Sequence, residues 1–264
     1  MASSQDSFGG ELIGLLPAGG QAVRISPLPC SKELYPIGFR SDEEGKSRRP
    51  KVVVQYLLEK MRYAGFSKAY FVLRPGKWDI PAYFGDGSLL DMQIGYLMLG
   101  APYGVPFTLD QAYSFVRHAT VAFGFPDILF DSDDGFARLL ERQSASGSDI
   151  TLGLFSATHA QSREDRVDLQ PDGSVREIVL GPPTSDLLHS WAIAIWKPSF
   201  TQFLHEYVAS KKTTDPQRSE LSAGHALQAG IEAGLRADAV VLNSTSYLDI
   251  GTPDNLYKAV KQSL

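Results

Sequence analysis

Apolar positions recur along the first half of the chain in two rhythms. Strand-length apolar runs stand at Glu11 to Leu16, Ala69 to Leu73, Gln93 to Leu99, Thr120 to Phe123 and Ile150 to Ser156. Between them the spacing is helical: Val53, Leu57, Leu58 and Met61 share one face of a helix predicted over Val52 to Gly65. Further helices are predicted over Trp78 to Phe84, Leu109 to Ala119 and Phe136 to Gln143. Ser41 to Pro50, SDEEGKSRRP, reads as a charged, solvated loop. Strands alternating with helices over roughly 150 residues predict an α/β fold with a doubly wound, mostly parallel sheet.

The second half has a different rhythm. Arg166 to Leu169 and Val175 to Leu180 flank Asp172-Gly173, the signature of a hairpin around a tight turn. A strand is predicted over Ser190 to Trp196, a helix over Phe200 to Ala209, and a polar loop over Lys211 to Ser219. A helix over Leu221 to Ala233, a strand over Ala239 to Leu242 and a helix over Pro253 to Gln262 complete the pattern. No linker composition separates the halves. The expected organisation is a flexible lead-in, 1–10, and one domain over 11–264, in two halves, 11–156 and 157–264.

Composition narrows the class. The chain has 264 residues, 43% of them apolar, which is ample for a packed core. Its net charge is −5, with no basic stripe, so no nucleic-acid partner is expected. No apolar run approaches the roughly 20 residues that span a bilayer, so no membrane partner is expected either. A single cysteine, Cys30, excludes an internal disulfide. With no signal-peptide pattern at the start, a cytoplasmic protein is expected.

Candidate chemistry begins where the first strand ends. Leu15 to Ile37 reads LLPAGGQAVRISPLPCSKELYPI. Its Gly19-Gly20 turn can present backbone N–H groups to phosphate oxygens, with Arg24 and Lys32 to neutralise them. Either glycine could equally serve a plain strand-exit turn, since glycine supplies positive φ anywhere. Asp127 follows an apolar strand at the end where open sheets place their crevice. Asp249 precedes Gly251-Thr252-Pro253, where an aspartate could also cap the last helix. Asp131, Asp133 and Asp134, in FDSDDG, read as a solvated turn without calcium-loop spacing. The histidines His118, His159, His189, His205 and His225 show no metal-ligand spacing, and Cys30 reads as a small filler. Trp191 and Trp196 read as core residues.

Four ordered blocks together resemble the sugar-1-phosphate nucleotidylyltransferases, most of all the glucose-1-phosphate thymidylyltransferases. They are Leu16 to Pro36 against L-A-G-G-x-G-T-R…P-K-x-L-L-P, and Gly85-Asp86-Gly87-Ser88 through Tyr96 to Pro102 and Gly104. The others are Pro126-Asp127-Ile128-Leu129-Phe130 against L-G-D-N-I-F, and Leu248 to Pro253 against L-D-T-G-T-P. The resemblance implies a Rossmann-like, three-layer αβα fold with a mixed sheet, of the nucleotide-diphospho-sugar transferase type. It implies a transferase that joins a nucleoside triphosphate, dTTP or UTP, to a sugar 1-phosphate and releases pyrophosphate. It places Pro17, Ala18, Gly19, Gly20, Gln21, Leu99 and Gly104 on the nucleotide, Arg24 and Lys32 on the reacting phosphates, and Asp127 and Asp249 on Mg²⁺. A homo-oligomer is a further implied expectation.

The chain departs from that pattern at definite points. Ala22 and Val23 stand where the family has glycine and threonine, and Lys32 arrives two residues early. Leu99 replaces the glutamine that reads the base, and Val179 to Pro182, VLGP, replaces E-E-K-P. His189 to Ile193, HSWAI, replaces N-A-G-I-Y, so the asparagine is gone. Two alternatives therefore stand beside catalysis on a sugar 1-phosphate. One is a catalytically altered regulatory member that binds nucleotide sugar. The other is a cytidylyltransferase of another phosphorylated acceptor. A Rossmann-type dehydrogenase fits poorly, because Gly19 to Arg24 lacks G-x-G-x-x-G.

Overall fold

The computed structural model describes residues 10–41, 47–100, 103–157, 164–181, 187–211, 220–242 and 247–262. Its strands are β1 (Leu12–Ala18), β2 (Pro36–Ser41), β3 (Arg48–Val52), β4 (Lys68–Leu73), β5 (Gln93–Met98), β6 (Thr120–Gly124), β7 (Ile128–Leu129), β8 (Ile150–Ser156), β9 (Arg166–Leu169), β10 (Val175–Val179), β11 (His189–Trp196), β12 (Ala237–Val241) and β13 (Leu248–Asp249). Its helices are α1 (Val53–Tyr63), α2 (Asp79–Phe84), α3 (Val105–Asp110), α4 (Tyr113–Val116), α5 (Gly135–Ser146), α6 (Pro198–Lys211), α7 (Ala223–Glu232) and α8 (Pro253–Gln262).

The main sheet runs β12-β8-β11-β6-β1-β4-β5, with β9 and β10 added beside β11. β1 pairs in parallel with both β4 and β6, and β4 in parallel with β5. β11 is antiparallel to β6 and β8, so the sheet is mixed. From β1 the chain winds outward through β4 and β5, then crosses back to place β6 on the other side of β1. Strand order therefore reverses between β1 and β6, and the crevice at such a reversal opens at the carboxyl ends of the strands.

Period-two alternation in β1 builds the three layers. Leu12, Leu16 and Ala18 pack on one face, with Leu57, Leu58 and Met61 of α1 and Phe136, Leu139 and Leu140 of α5. Ile13 and Leu15 pack on the other, with Phe107 and Val116 from α3 and α4, Phe200 and Leu204 of α6, and Leu227 of α7. Trp191 and Trp196 are buried, as expected. The apolar face read from Val53, Leu57, Leu58 and Met61 is the buried face of α1.

Two expectations need correction. The helix expected over Leu109 to Ala119 is two short helices, α3 and α4. At Gln111 and Ala112 the backbone N–H groups bond to Thr108 and Leu109, three residues back, which tightens the turn and ends the first helix. Part of the loop expected at Ser41 to Pro50 is the β2–β3 hairpin, with Arg40 opposite Arg49 and Phe39 opposite Pro50. Ser41 and Arg48 to Pro50 are exposed, so this end of the hairpin leaves no apolar alternation to read. Residues 42–46 of that loop, 1–9 of the lead-in, 212–219 of the expected polar loop and His159 lie outside the described residues.

Leu57 locks α1 over β6: a Cβ on Gly124 would lie 2.7 Å from Leu57 Cδ1. Leu57→Ala should therefore cost about 2–5 kcal/mol, read as a lower denaturant midpoint with an unchanged slope.

Candidate active site

Both halves of the site leave the sheet at one edge. β1 ends at Ala18 and turns through Gly19-Gly20, while β6 ends at Gly124 and runs through Pro126 to Asp127. The parallel register, Leu12 opposite Thr120 and Leu15 opposite Phe123, puts these two exits side by side. The segment after the turn folds back through a short 3₁₀ turn at Lys32–Leu34. Lys32 Nζ forms an ion pair with Asp127 Oδ2, and it lies 3.4 Å from where a Gly20 Cβ would sit. The lysine thus crosses directly over the Gly20 turn.

Asp249 arrives from the far end of the chain. β13 pairs with β7 so that Asp249 stands opposite Ile128, and the Ile250 N–H donates to the Asp127 carbonyl at 3.1 Å. One Asp249 oxygen accepts the Gly251 N–H at 2.7 Å, and the other lies 3.6 Å from the Arg24 guanidinium. A Cβ on Gly251 would come within 2.9 Å of that guanidinium, so the Arg24 side chain lies directly over Gly251. Arg24, Lys32, Asp127 and Asp249 are therefore brought together around Gly20, and neither two-residue strand that does it is visible as a sequence pattern.

The remaining nucleotide candidates occupy distinct places. Ala18 is buried in the core and Pro17 pairs with Val72 at the end of β1. Gln21 is exposed. Leu99 is buried, 3.2 Å from where a Gly19 Cβ would sit, so it roofs the turn with hydrocarbon. Gly104 has φ 113°, and a Cβ there would lie 2.3 Å from the Leu221 carbonyl oxygen. The close approach at Gly104 is thus to the chain itself, to the segment that leads into α7. Ala22 takes φ 55°, a left-handed conformation that costs a non-glycine residue about 1–2 kcal/mol. The backbone shape is the one a glycine would supply without that cost.

Electrostatics at the crevice follow from burial. Burial first, and then the negative charge of Asp127, hold the Asp249 carboxyl above its ordinary value. Burial works against the charge on Lys32, but Asp127, by charge and hydrogen bond, outweighs it and the ammonium titrates above its ordinary value. Behind Lys32 lies an ion pair that the sequence reading assigned no role. Glu33 is fully buried and accepts Lys77 Nζ at 2.6 and 2.8 Å. A charged residue beside Lys32 carries no mark of burial in its own sequence, because only its distant partner makes burial tolerable.

The rival acidic residues take other duties. Asp133 pairs with the buried Lys60, and Asp134 stands at the start of α5. His205 pairs with Asp110, and His225 completes a capping box with Ser222 at α7. Cys30 is half-buried, and burial raises its thiol. Among the described residues, no group of three or more His, Cys, Asp or Glu side chains is placed to hold a metal ion. Asp127 and Asp249 are a pair of hard carboxylates whose crowding a cation would relieve. Two carboxylates suit an ion whose other ligands are phosphate oxygens and water.

Comparison with known proteins bears on the fold. The low-salt glycan biosynthesis nucleotidyltransferase of Haloferax volcanii is 23% identical over 252 residues, 93% of this chain and 64% of that protein. The chain thus spans just under two thirds of that curated relative. No family model matches. A structure from Bacillus anthracis described as a glucose-1-phosphate thymidylyltransferase, in complex with sucrose, superposes with a TM-score of 0.78 at 17% identity, over 96% of this chain and 95% of that one. A UDP-glucose pyrophosphorylase complexed with UDP-glucose gives 0.75 at 15% identity, over 96% and 98%. A UDP-glucose pyrophosphorylase of Acinetobacter baumannii gives 0.75 at 18%, over 96% and 93%. The chain has the nucleotide-diphospho-sugar transferase fold, and it resembles the sugar-1-phosphate nucleotidylyltransferases in the order of its motifs as well. Among the described residues, no helix is long and apolar enough to cross a membrane.

Two outcomes are expected. Gly104→Ala should lower the thermal midpoint without any ligand present, because the added methyl meets backbone rather than solvent. An unchanged midpoint would return this glycine to a ligand role. For Asp249, the folded-state value is raised, so ionising the carboxyl in the folded chain costs stability above its ordinary titration range. Asp249→Asn should be more stable than the parent at pH 7 by thermal melting. The gain should fade as pH falls through the Asp249 titration and vanish below about pH 3.9, the unfolded carboxyl value.

Proposed function

We propose that this protein is an Mg²⁺-dependent nucleotidyltransferase that joins dTTP or UTP to a sugar 1-phosphate, giving a nucleotide sugar and pyrophosphate. The observation that carries this reading is the gathering of Lys32, Arg24, Asp127 and Asp249 around the Gly20 turn. A sugar-phosphate oxygen would attack the α-phosphorus, forming a new O–P bond as the bond to the pyrophosphate oxygen breaks. Both reactants are anions, so positioning and charge neutralisation supply most of the rate.

Each residue has a task that its surroundings support. The Gly19-Gly20 backbone would line the triphosphate, and the exposed Arg24 would take its outer phosphates. Lys32, held charged by Asp127, would face the oxygens that gain charge as pyrophosphate departs. Asp127 and Asp249 would hold Mg²⁺. The ion, when bound, neutralises phosphate charge and keeps the reacting groups in line. Uridine or thymidine is favoured by the similar proteins, one described as a thymidylyltransferase and another bound to UDP-glucose. Leu99, buried against the Gly19 turn, supplies no amide to read the base. A cytoplasmic location completes the reading, supported by the free thiol of Cys30.

One observation favours a second reading. Val179, Leu180 and Gly181 carry neither carboxylate nor ammonium where the family pattern has its Glu-Lys pair. A nucleotide-sugar-binding protein without turnover would need neither.

Purified protein with Mg²⁺, each common NTP and a panel of sugar 1-phosphates should release pyrophosphate. Turnover should peak with dTTP or UTP and fall on the order of 10²- to 10³-fold in Asp127→Ala. Calorimetric nucleotide binding with no release across the panel would select the second reading. Turnover only with CTP and a phosphorylated alcohol would select a cytidylyltransferase.

A further inference from the structure

Lys32 is flanked by two anchored neighbours. The Ser31 backbone N–H and hydroxyl donate to the two carboxylate oxygens of Asp79 at 2.6 and 2.7 Å. Glu33 accepts two hydrogen bonds from Lys77. Both partners therefore belong to one tripeptide, Lys77-Trp78-Asp79, where the connection from β4 enters α2. β4 is the parallel neighbour of β1, so this connection emerges at the same sheet edge as the crevice. Two contacts from one short stretch of chain hold the residues on either side of Lys32, and the Lys32 side chain reaches Asp127.

The chemistry of the inner contact is informative. Glu33 is 0% exposed and Lys77 only 8%. Burial pushes the Glu33 carboxyl up and the Lys77 ammonium down, so ionisation of each is opposed. Removing two charges from water is repaid only in part by their attraction, and a well-packed apolar pair of similar size is commonly as stable or more so. Stability thus gives no reason for the pair. Its position does: Lys77, Glu33, Lys32 and Asp127 form a row of alternating charge from the scaffold to the crevice.

We propose that Lys77–Glu33 and Asp79–Ser31 form a two-point clamp that presents the Lys32 ammonium to the triphosphate, which makes Glu33, Lys77 and Asp79 positioning residues for nucleotidyl transfer. The clamp rests on the reading of the crevice as a nucleotidyl-transfer site. It acts through Lys32 and touches no substrate.

The test compares the parent with Glu33→Leu/Lys77→Met, which replaces the ion pair by hydrocarbon, and with Asp79→Ala, which removes the half-buried outer contact. Thermal midpoint, calorimetric affinity for Mg²⁺–UTP and Mg²⁺–dTTP, and pyrophosphate release are measured on each. The apolar pair should keep or raise the midpoint while kcat falls about 10- to 100-fold, the loss typical of partners that orient a reacting group. Asp79→Ala should lower kcat by a smaller factor at a near-parent midpoint, and Lys77→Arg, which keeps a cation against Glu33, should retain most of the turnover. A double variant with parental kcat overturns the clamp, and so does a kcat loss that only tracks a fall in midpoint. If the double variant does not fold, parental kcat in Asp79→Ala overturns it. A parent that binds neither nucleotide removes the functional reading and the clamp together. A parent that turns over and is matched by its variants removes the clamp alone.

Discussion

The parallel pairing of β1 with β6 is the constraint on which the rest depends. Strand order reverses there, and the chain leaving β1 and the chain leaving β6 emerge side by side at the carboxyl ends of the strands, where open sheets place their crevice. Everything charged at the site is hung on those two exits. Gly19 and Gly20 belong to one and Asp127 to the other, and Lys32 ties them across the gap. The pairing is held by hydrocarbon on both faces of β1, which is why a strand buried on both sides can carry polar chemistry at its tip.

That chemistry is arranged at a cost to the fold. Asp127 and Asp249 crowd two carboxylates into a partly dry corner, Ala22 holds a left-handed backbone, and Glu33 with Lys77 places an ion pair where water does not reach. None of these would be chosen for stability alone. Tertiary contacts gather them about Lys32 and the Gly20 turn, and strain gathered in this way is the usual mark of a site where binding matters more than folding.

Much of the fold was legible in the residues. Alternation of strand and helix, and the apolar stripe of α1, identified a doubly wound sheet and its register of faces. The failures were of two physical kinds. The Ser41 and Arg48 to Pro50 end of the β2–β3 ribbon is exposed, and the α3–α4 break is a tightening of hydrogen bonds over a single turn; neither needs a distinct apolar pattern. β7 and β13 are two residues each, too short for periodicity to mean anything, yet they set the spacing of Asp127 and Asp249.

The sequence by itself determined the α/β class and the candidacy of Gly19-Gly20, Arg24, Lys32, Asp127 and Asp249 as site residues. These are properties of local pattern and of residue type, which a linear string carries in full. Tertiary structure alone decided that Asp249 stands beside Asp127, that Gly104 is occupied by the Leu221 backbone, and that Glu33 is buried against Lys77. Each of those is a contact between distant positions, and the free energy of a charge or a close approach depends on what lies across the gap rather than on what lies next along the chain.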